Sequence, residues 1–311
     1  MRIVFMGTPE FAVPSLKALI REGYDIAGVF TQPDRPRGRG NKLTPSPVKA
    51  AATEAGIPVF QPERIRKTGV NDLRSLKPDL CVTAAFGQIL SQEILDIPPM
   101  GNINVHASLL PKHRGAAPVA YAIMNGDAEA GITTMMMDAG IDTGDILLQE
   151  KTAINESETC GELTVRLSRI GAELLIRTIR EMKDGELKRH PQNETEKTYD
   201  PMLIKELGRP DWNSESEKIR GLINGLNPWP CVSVPAEGGR LKLLRAVCCD
   251  GSGKPGTVLT ADPKNGFIIA CGSGAVRILE LQAPGGKQMN AEDYLRGHGI
   301  QKGTVLKEEA E

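Results

Sequence analysis

Short apolar runs and helical patterns alternate along the first half of the chain. Apolar β-type runs cover residues 2–6, 25–30 and 79–84, and segments with helical spacing follow the first two of them. The longest helical pattern covers residues 158–182 and carries a stripe of Leu and Ile at spacings of three, four or five. Strands that alternate with helices predict an α/β domain with a mostly parallel sheet.

The pattern changes after Asp184. The polar residues 190–198 have no apolar periodicity, so we predict an interdomain linker there. Short β-type runs follow, at residues 231–235, 241–247, 257–260, 267–271 and 276–280. Five short strands with turn signals between them predict a small barrel or sandwich, of which the OB type is one candidate. The predicted domains are therefore residues 1–189 and 208–311, with residues 190–207 as the linker.

Polar side chains occupy one face of a further predicted strand. Ile103 and Val105 alternate with Asn102, Asn104 and His106, a period of two that places two amides and an imidazole on the same face. Ligands of open α/β sheets bind at the carboxyl ends of strands, which is where these side chains fall. An Asn N–H and a His ring nitrogen are donors that a developing oxyanion requires. The alternative of a buried amide–imidazole pair with a structural role stays open on this pattern.

A second polar loop covers residues 138–145. Asp142 lies in it between two glycines, which allow tight backbone paths that a side chain would block. Aspartate is also a common turn and cap residue, so this loop alone does not establish a site. Together with the polar strand it leads to a hypothesis. Asn104, His106 and Asp142 converge on one reacting carbonyl, and the carboxylate takes a proton from the nucleophile.

A cationic segment follows the second predicted strand. Residues 32–47 are rich in Pro and Gly, which predicts a mobile loop with neither helix nor strand. Asp34 is the one acidic residue of this segment. Its basic residues are Arg35, Arg37, Arg39 and Lys42. Charge alone favours a solvated surface loop. Position favours phosphate binding instead, because loops after strands line the ligand-binding edge of such a sheet.

Composition narrows the class of protein. A chain of 311 residues is long enough for two domains, and 40% hydrophobic residues with a net charge of −1 exclude disordered, fibrous and strongly basic classes. The six cysteines show no Cys-x-x-Cys pair and no zinc-type spacing, so we expect neither a disulfide framework nor a metal site. The first turn has only Gly7 where a dinucleotide fingerprint needs three glycines. With no leader and no long apolar span, we expect a cytoplasmic protein without membrane contact, and a monomer.

Several motifs taken together resemble a known family. The run Asn104-x-His106-x-Ser108-Leu109-Leu110-Pro111, in one chain with Asp142-Thr143-Gly144, resembles the folate-dependent formyltransferases. Further pieces are similar to the branch of that family that formylates methionyl-tRNA, namely residues 6–12 (MGTPEFA), 38–40 (GRG), 42–49 (KLTPSPVK), 113–118 (HRGAAP) and 227–230 (NPWP). The likeness extends over nearly the full chain, and the order and spacing of the pieces are its specific feature.

The resemblance implies an activity and a set of site residues. It implies formyl transfer from 10-formyltetrahydrofolate to the methionine amino group on initiator tRNA, for translation initiation, by a Rossmann-like formyltransferase domain with an OB-like, tRNA-binding C-terminal domain. The catalytic residues would be Asn104, His106 and Asp142. Folate would be contacted by Ser108, Leu109, Leu110 and Pro111, with Gln88, Ile89 and Leu90 lining the pterin pocket. The tRNA acceptor end would be contacted by Arg35, Arg37, Arg39 and Lys42.

Two other functions remain open on the sequence. The first is a formyltransferase acting on a small amine, such as a nucleotide sugar or a glycinamide ribotide, which would share the catalytic residues and differ in the cationic segment. The second is a non-catalytic RNA-binding protein built on the C-terminal barrel. Residues 206–311 contain equal numbers of basic and acidic residues, so that barrel has no overall positive charge to favour RNA.

Overall fold

The computed structural model describes residues 1–37 and 42–306, without the side chain of Arg37. Arg39, and with it one of the predicted tRNA contacts, lies outside the described residues. The chain forms two compact units. The first consists of residues 1–115, 131–152 and 164–199, and the second of residues 116–130, 153–163 and 200–311. The boundaries expected from the sequence, at residues 189 and 208, remain predictions.

The secondary structure alternates between strands and helices before residue 185 and is mainly β after it. The strands are β1 (Arg2–Gly7), β2 (Asp25–Phe30), β3 (Arg35–Arg37), β4 (Lys42–Thr44), β5 (Val59–Phe60), β6 (Leu80–Ala84), β7 (Asn102–His106), β8 (Arg114–Gly115), β9 (Glu129–Met136), β10 (Ile146–Ala153), β11 (Tyr199–Asp200), β12 (Val232–Ala236), β13 (Gly239–Cys249), β14 (Val258–Asp262), β15 (Gly266–Ala270), β16 (Ala275–Gln282) and β17 (Gln288–Asn290). The helices are α1 (Val13–Arg21), α2 (Pro47–Glu54), α3 (Val70–Leu76), α4 (Gln92–Leu95), α5 (Pro118–Met124), α6 (Cys160–Asp184), α7 (Ser216–Gly225) and α8 (Ala291–Gly297). Short 3-10 turns at Glu10–Ala12 and Lys205–Gly208 and a π-helical turn at Ile65–Gly69 complete the list.

A mostly parallel sheet forms the centre of the first unit. Its strand order is β10-β9-β7-β6-β1-β2-β5. The five strands from β5 to β7 run parallel, and β9 runs antiparallel to β7. This Rossmann-like α/β architecture confirms the fold predicted for the N-terminal part. The carboxyl ends of β6 and β7 lie side by side, with Thr83 and Asn104 as register partners.

Close packing against α6 orients β7. A Cβ added at Gly171 of α6 would lie 2.9 Å from Cγ1 of Val105, so only a glycine allows the helix to approach this strand so closely. Val105 therefore faces α6. Because side chains alternate along a strand, Asn104 and His106 face the opposite side of the sheet. The packing of one apolar residue thus aims the two polar neighbours away from the helix.

The second unit contains a curled antiparallel sheet, as expected of an OB-like domain. Its strand order is β12-β13-β16-β15-β14, with β17 paired to β16. Ile219 and Ile223 of α7 are buried in one core with Val232, Leu243 and other apolar strand residues. The five short strands predicted from the sequence are all present, with bounds shifted by a few residues. Within the described residues, no helix is both long and apolar enough to cross a membrane.

The cationic segment contradicts the prediction of a loop without strands. β3 and β4 form an antiparallel pair in which Arg35 is opposite Thr44, Pro36 opposite Leu43 and Arg37 opposite Lys42. The two strands pair only with each other among the described residues, so each keeps an open edge. Proline is tolerated in edge strands because its missing N–H need not serve a second neighbour. The Pro content therefore did not exclude a hairpin here.

Candidate active site

The buried polar end of β7 forms one side of the candidate site. All five residues of β7 are buried, including Asn104 and His106 at 9% and 6% exposure. Asn102, the third polar residue of the strand, donates its amide Nδ2–H to the carbonyl oxygen of Leu95 at 2.8 Å. That amide has a structural partner, whereas Asn104 and His106 point toward the loop that carries Asp142.

The loop between β9 and β10 brings Asp142 to the same place. Asp142 has a backbone φ of +53°, a left-handed conformation that Asp adopts more readily than most residues. A Cβ at Gly140 would overlap the hydroxyl of Thr143, and one at Gly144 would overlap the carbonyl oxygen of Met136. The two glycines flanking Asp142 are therefore required by close approach, as their positions in the sequence indicated.

The three side chains converge around one carboxylate oxygen. Oδ1 of Asp142 lies 3.5 Å from Nδ2 of Asn104 and 3.6 Å from Nδ1 of His106. The other oxygen, Oδ2, accepts a hydrogen bond of 2.9 Å from the backbone N–H of Gly115. The side chain of Asp142 is 16% exposed, so the carboxylate faces the site and not bulk solvent. The structure brings the three predicted side chains together. Their catalytic roles stay a prediction.

A backbone carbonyl fixes the orientation of the imidazole. Nε2 of His106 lies 2.9 Å from the carbonyl oxygen of His113, and a carbonyl only accepts hydrogen bonds, so Nε2 carries a proton. Nδ1 is consequently the ring atom that faces Asp142. In the neutral imidazole Nδ1 is an acceptor, and it donates only when the ring holds a second proton. His113 itself has a φ of +60°, which turns its carbonyl toward the ring.

The predicted folate turn, residues 108–111, is held by β9 and β10. The hydroxyl of Thr133 donates to the carbonyl of Ser108 at 2.7 Å and accepts from the N–H of Leu110 at 3.1 Å. Gln149 donates to the carbonyl of Leu110 at 2.9 Å. Ser108 donates its own hydroxyl to the carbonyl of Lys112, and Pro111 completes the turn. These hydrogen bonds hold the turn directly after the strand that carries Asn104 and His106.

The three predicted pterin-pocket residues differ in their surroundings. Gln88 accepts from the N–H of Ile65 at 2.6 Å and donates to the carbonyl of Pro62 at 2.9 Å, so its amide joins two loops. Leu90 is 5% exposed and belongs to the core of the first unit. Ile89, by contrast, is 68% exposed. Of the three side chains, that of Ile89 is the one most accessible to a ligand.

The hairpin β3–β4 presents basic residues to solvent from an anchored base. Arg35 and Lys42 are exposed. At the base, Asp34 forms an ion pair with Lys49 at 2.6 Å and accepts from the amide of Gln61 at 2.8 Å. These hydrogen bonds, that of Lys49 first, lower the pKa of the Asp34 carboxyl. The carboxylate of Asp34 therefore has partners outside the hairpin, and none of the described ion pairs involves Arg35 or Lys42.

The sequence and the fold match one family throughout. A model of the formyl transferase family matches residues 1–179, and a model of the formyl transferase C-terminal domain matches residues 202–299. The chain belongs to the formyl transferase family. Within the described residues, no group of three or more His, Cys, Asp or Glu side chains has the geometry of a metal site.

Relatives in this formyl transferase family are similar over their whole length. A methionyl-tRNA formyltransferase from Caldanaerobacter subterraneus is 49% identical, over 99% of this chain and 100% of the relative. A methionyl-tRNA formyltransferase from Acetivibrio thermocellus is 47% identical, over 98% of this chain and 99% of that relative. Among solved structures, an N-formyltransferase from Helicobacter canadensis in complex with folinic acid and dTDP-3-aminofucose has a TM-score of 0.68. It is 19% identical and covers 89% of this chain and 97% of that one, a likeness of fold.

Two residues that hold parts of the candidate site were not singled out from the sequence. Thr133 is one of two threonines in β9, and its role depends on its register position opposite His106. Gln192 donates to the carbonyl oxygens of Asp142 and Gly144, each at 2.8 Å. It lies in the polar segment predicted as a linker, where no periodicity marks it. Register and long-range contacts of this kind leave no signal in local sequence patterns.

Proposed function

We propose that this protein transfers the formyl group of 10-formyltetrahydrofolate to the amino group of methionine on initiator methionyl-tRNA, for translation initiation. One observation carries the proposal: an amide, an imidazole and a carboxylate meet within 3.6 Å at Oδ1 of Asp142. The full-length relatives at 47% and 49% identity are methionyl-tRNA formyltransferases, which supports this substrate over a small amine.

Asn104 and His106 supply the electrostatic part of the proposed reaction. The amine attacks the formyl carbon and the carbonyl oxygen becomes negatively charged in the tetrahedral intermediate. The Nδ2–H groups of Asn104 are one source of hydrogen bonds for that oxyanion. His106 contributes through Nδ1, because its Nε2–H is already bound to the carbonyl of His113 at 2.9 Å. Donation from Nδ1 requires a second proton on the ring.

Asp142 is the proposed general base. The attacking amine must lose a proton as the new C–N bond forms, and Oδ1 is the carboxylate oxygen oriented toward the other two side chains. The bond from the formyl carbon to the folate nitrogen then breaks, and that nitrogen takes up a proton, for which His106 is the proposed donor. The proton lost by the amine balances the one gained by tetrahydrofolate.

The folate and tRNA contacts are part of the same proposal. Residues 108–111 form a fixed turn beside the catalytic residues, and Gln88, Ile89 and Leu90 follow the end of β6. The basic residues of the cationic segment, Arg35, Arg37, Arg39 and Lys42, would meet the phosphates of the acceptor end. The proposed enzyme is cytoplasmic and monomeric, and its six free cysteines fit a reducing compartment.

The direct test mixes the purified protein with charged initiator tRNA and 10-formyltetrahydrofolate. We expect formylmethionyl-tRNA, detected as formylmethionine after mild deacylation. Parallel reactions with an amino sugar nucleotide and with glycinamide ribotide test the small-amine alternative. Formylation of a small amine with none of the tRNA would overturn the proposed substrate, and tRNA binding without any transfer would indicate the non-catalytic alternative.

A further inference from the structure

We propose that Gln192, held in place by Arg114, is a positioning residue for Asp142. The inference rests on the proposed function and adds a residue from the segment that resembles a linker in the sequence. Nε2 of Gln192 donates to the carbonyl oxygen of Asp142 and to that of Gly144, each at 2.8 Å. One amide group therefore holds the backbone on both sides of Thr143, at the point where Asp142 adopts its left-handed conformation.

Arg114 fixes the other end of the same amide. Oε1 of Gln192 accepts from Nε of Arg114 at 3.0 Å and from Nη2 at 2.7 Å. With two donated and two accepted hydrogen bonds, the amide of Gln192 has no remaining capacity and a single orientation. The side chain of Arg114 is fully buried and also donates to Glu194 at 2.7 Å. The buried guanidinium of Arg114 thus holds the Gln192 amide in the orientation that binds the Asp142 loop.

Asp142 is also held from β8 by a second, more direct contact. Gly115, the residue after Arg114, donates its N–H to Oδ2 of Asp142 at 2.9 Å. The strand β8 therefore holds the Asp142 side chain directly, through Gly115, and the Asp142 backbone indirectly, through Arg114 and Gln192. These hydrogen bonds form a closed network, called the Gln192 network here, that runs from Arg114 through Gln192 and Asp142 to Gly115. The network fixes both the position and the rotation of the Asp142 carboxylate. Displacement of a reacting group by about 1 Å can reduce a rate by about 10²-fold, so a precise hold has catalytic value.

The substitution Gln192→Glu keeps the contact of residue 192 with Arg114 and removes its contact with the Asp142 loop. A carboxylate still accepts from Arg114, but it has no N–H to donate to the carbonyls of Asp142 and Gly144. We expect kcat to fall by about tenfold to 10²-fold, while KM for the folate changes by less than about twofold. Asn193→Ala is the matched control, because Asn193 is the exposed next residue and bonds only within its own turn among the contacts described, to Thr195 and Glu196. It should retain wild-type kcat.

A double-mutant cycle distinguishes positioning from general structural support. If Gln192 acts through Asp142, Gln192→Glu should cause no further loss in an Asp142→Ala background. An equal loss in both backgrounds, or an unchanged kcat in the single variant, would overturn the proposal. Should Gln192→Glu lower the unfolding midpoint, the neutral Gln192→Met, which also lacks the donor, takes its place in the cycle.

Amide hydrogen exchange at Gly115 provides a readout that needs no activity. Its N–H is bound to Oδ2 of Asp142, so release of the loop should speed exchange there in Gln192→Glu and leave it unchanged in Asn193→Ala. If the wild-type protein fails to formylate methionyl-tRNA, the proposed function is wrong. The exchange measurement still decides whether Gln192 holds Asp142, and unchanged exchange in Gln192→Glu would refute that role.

Discussion

Nδ1 of His106 lies 3.6 Å from Oδ1 of Asp142, although the two residues come from a parallel strand and from a loop between β9 and β10. The carboxylate is fixed at its other oxygen, where the N–H of Gly115 donates at 2.9 Å. One oxygen therefore anchors Asp142, and the second remains oriented to Asn104 and His106. A carboxylate bound in this way keeps its position when a substrate amine approaches, which is the requirement for a general base.

Asp142→Asn should separate the charge of this residue from its shape. The amide can still accept from Gly115, so we expect a folded protein with an unchanged unfolding midpoint. It cannot take a proton at neutral pH, so kcat should fall by about 10²-fold to 10⁴-fold in the formylation assay. Asp145→Asn, in the same loop, is the matched control and should keep wild-type turnover. Near-normal activity of Asp142→Asn would rule out the general-base role.

Asn104→Ala tests the proposed oxyanion donor. Removing one such donor typically costs on the order of 3 kcal/mol, so turnover should fall by about 10²-fold or more. Thermal unfolding should show little change, because the Asn104 amide has one long contact of 3.5 Å to Asp142 and no shorter bond among the described hydrogen bonds. Asn102→Ala gives the contrasting case. It removes a buried hydrogen bond to Leu95 and should lower stability more than turnover.

The sequence predicted those parts of the site that depend on local pattern. Alternation along β7 indicated the face of Asn104 and His106, and the two glycines around Asp142 indicated a tight loop. Arg114 could not be predicted, because arginine is almost always exposed unless it is paired, and its partners lie far away in the sequence. Gln192 is one of those partners. Contacts made through tertiary structure, by residues without periodicity, are the part of the site that sequence reasoning leaves out.

In the C-terminal domain, too, local sequence patterns predicted the strands but not the contacts between distant residues. Short β-type runs with turns between them predicted the short strands of this domain. The burial of Ile219 and Ile223 of α7 against those strands is a finding of the structure. The prediction of a loop from the Pro and Gly content of residues 32–47 is wrong for the part that forms the hairpin β3–β4. Pro36 lies in an edge strand, opposite Leu43 of β4, where proline is tolerated. A local sequence pattern does not show that a strand is at an edge.

Removal of the hairpin cations should weaken tRNA use selectively. We expect the double variant Arg35→Ala with Lys42→Ala to raise KM for methionyl-tRNA, with little change in KM for the folate. Each lost phosphate contact should also reduce the dependence of log KM on log salt concentration, by about 0.9 for duplex nucleic acid. Lys17→Ala, an exposed cation on α1, is the control. A KM for tRNA that does not vary with salt in the wild type would exclude a phosphate-binding role.

Gly144→Ala should disturb the Asp142 loop without changing any of the three proposed catalytic side chains. The added Cβ would overlap the backbone carbonyl oxygen of Met136, which cannot move aside as a flexible side chain would. Overpacking of this kind typically costs about 1 to 3 kcal/mol, and the shifted loop should lower kcat as well. Gly299→Ala, where an added Cβ meets no atom within 4 Å, should leave unfolding and activity unchanged. Wild-type activity in Gly144→Ala would mean that the loop tolerates displacement.

Stability at acid pH should depend on Glu162 in the second unit. Glu162 accepts two hydrogen bonds from Arg245, at 2.7 and 2.9 Å, and one of 3.0 Å from the N–H of Thr159. The bonds from Arg245, as the largest cause, lower the pKa of Glu162 from 4.5 to about 2. A lowered pKa in the folded state means a contribution to stability that is complete above the ordinary pKa. That contribution is lost as pH falls toward the folded value.

Glu162→Gln should therefore be less stable than the wild type at neutral pH, and the difference should disappear as pH falls from about 4.5 to about 2. Denaturant unfolding across that range measures it directly. Because half of the Glu162 side chain is exposed, solvent screening keeps the effect modest and salt should reduce it further. Glu237→Gln, at the exposed turn between β12 and β13, is the control and should show no such convergence. A difference between Glu162→Gln and wild type that is constant down to pH about 2 would contradict the ionic contribution of this pair.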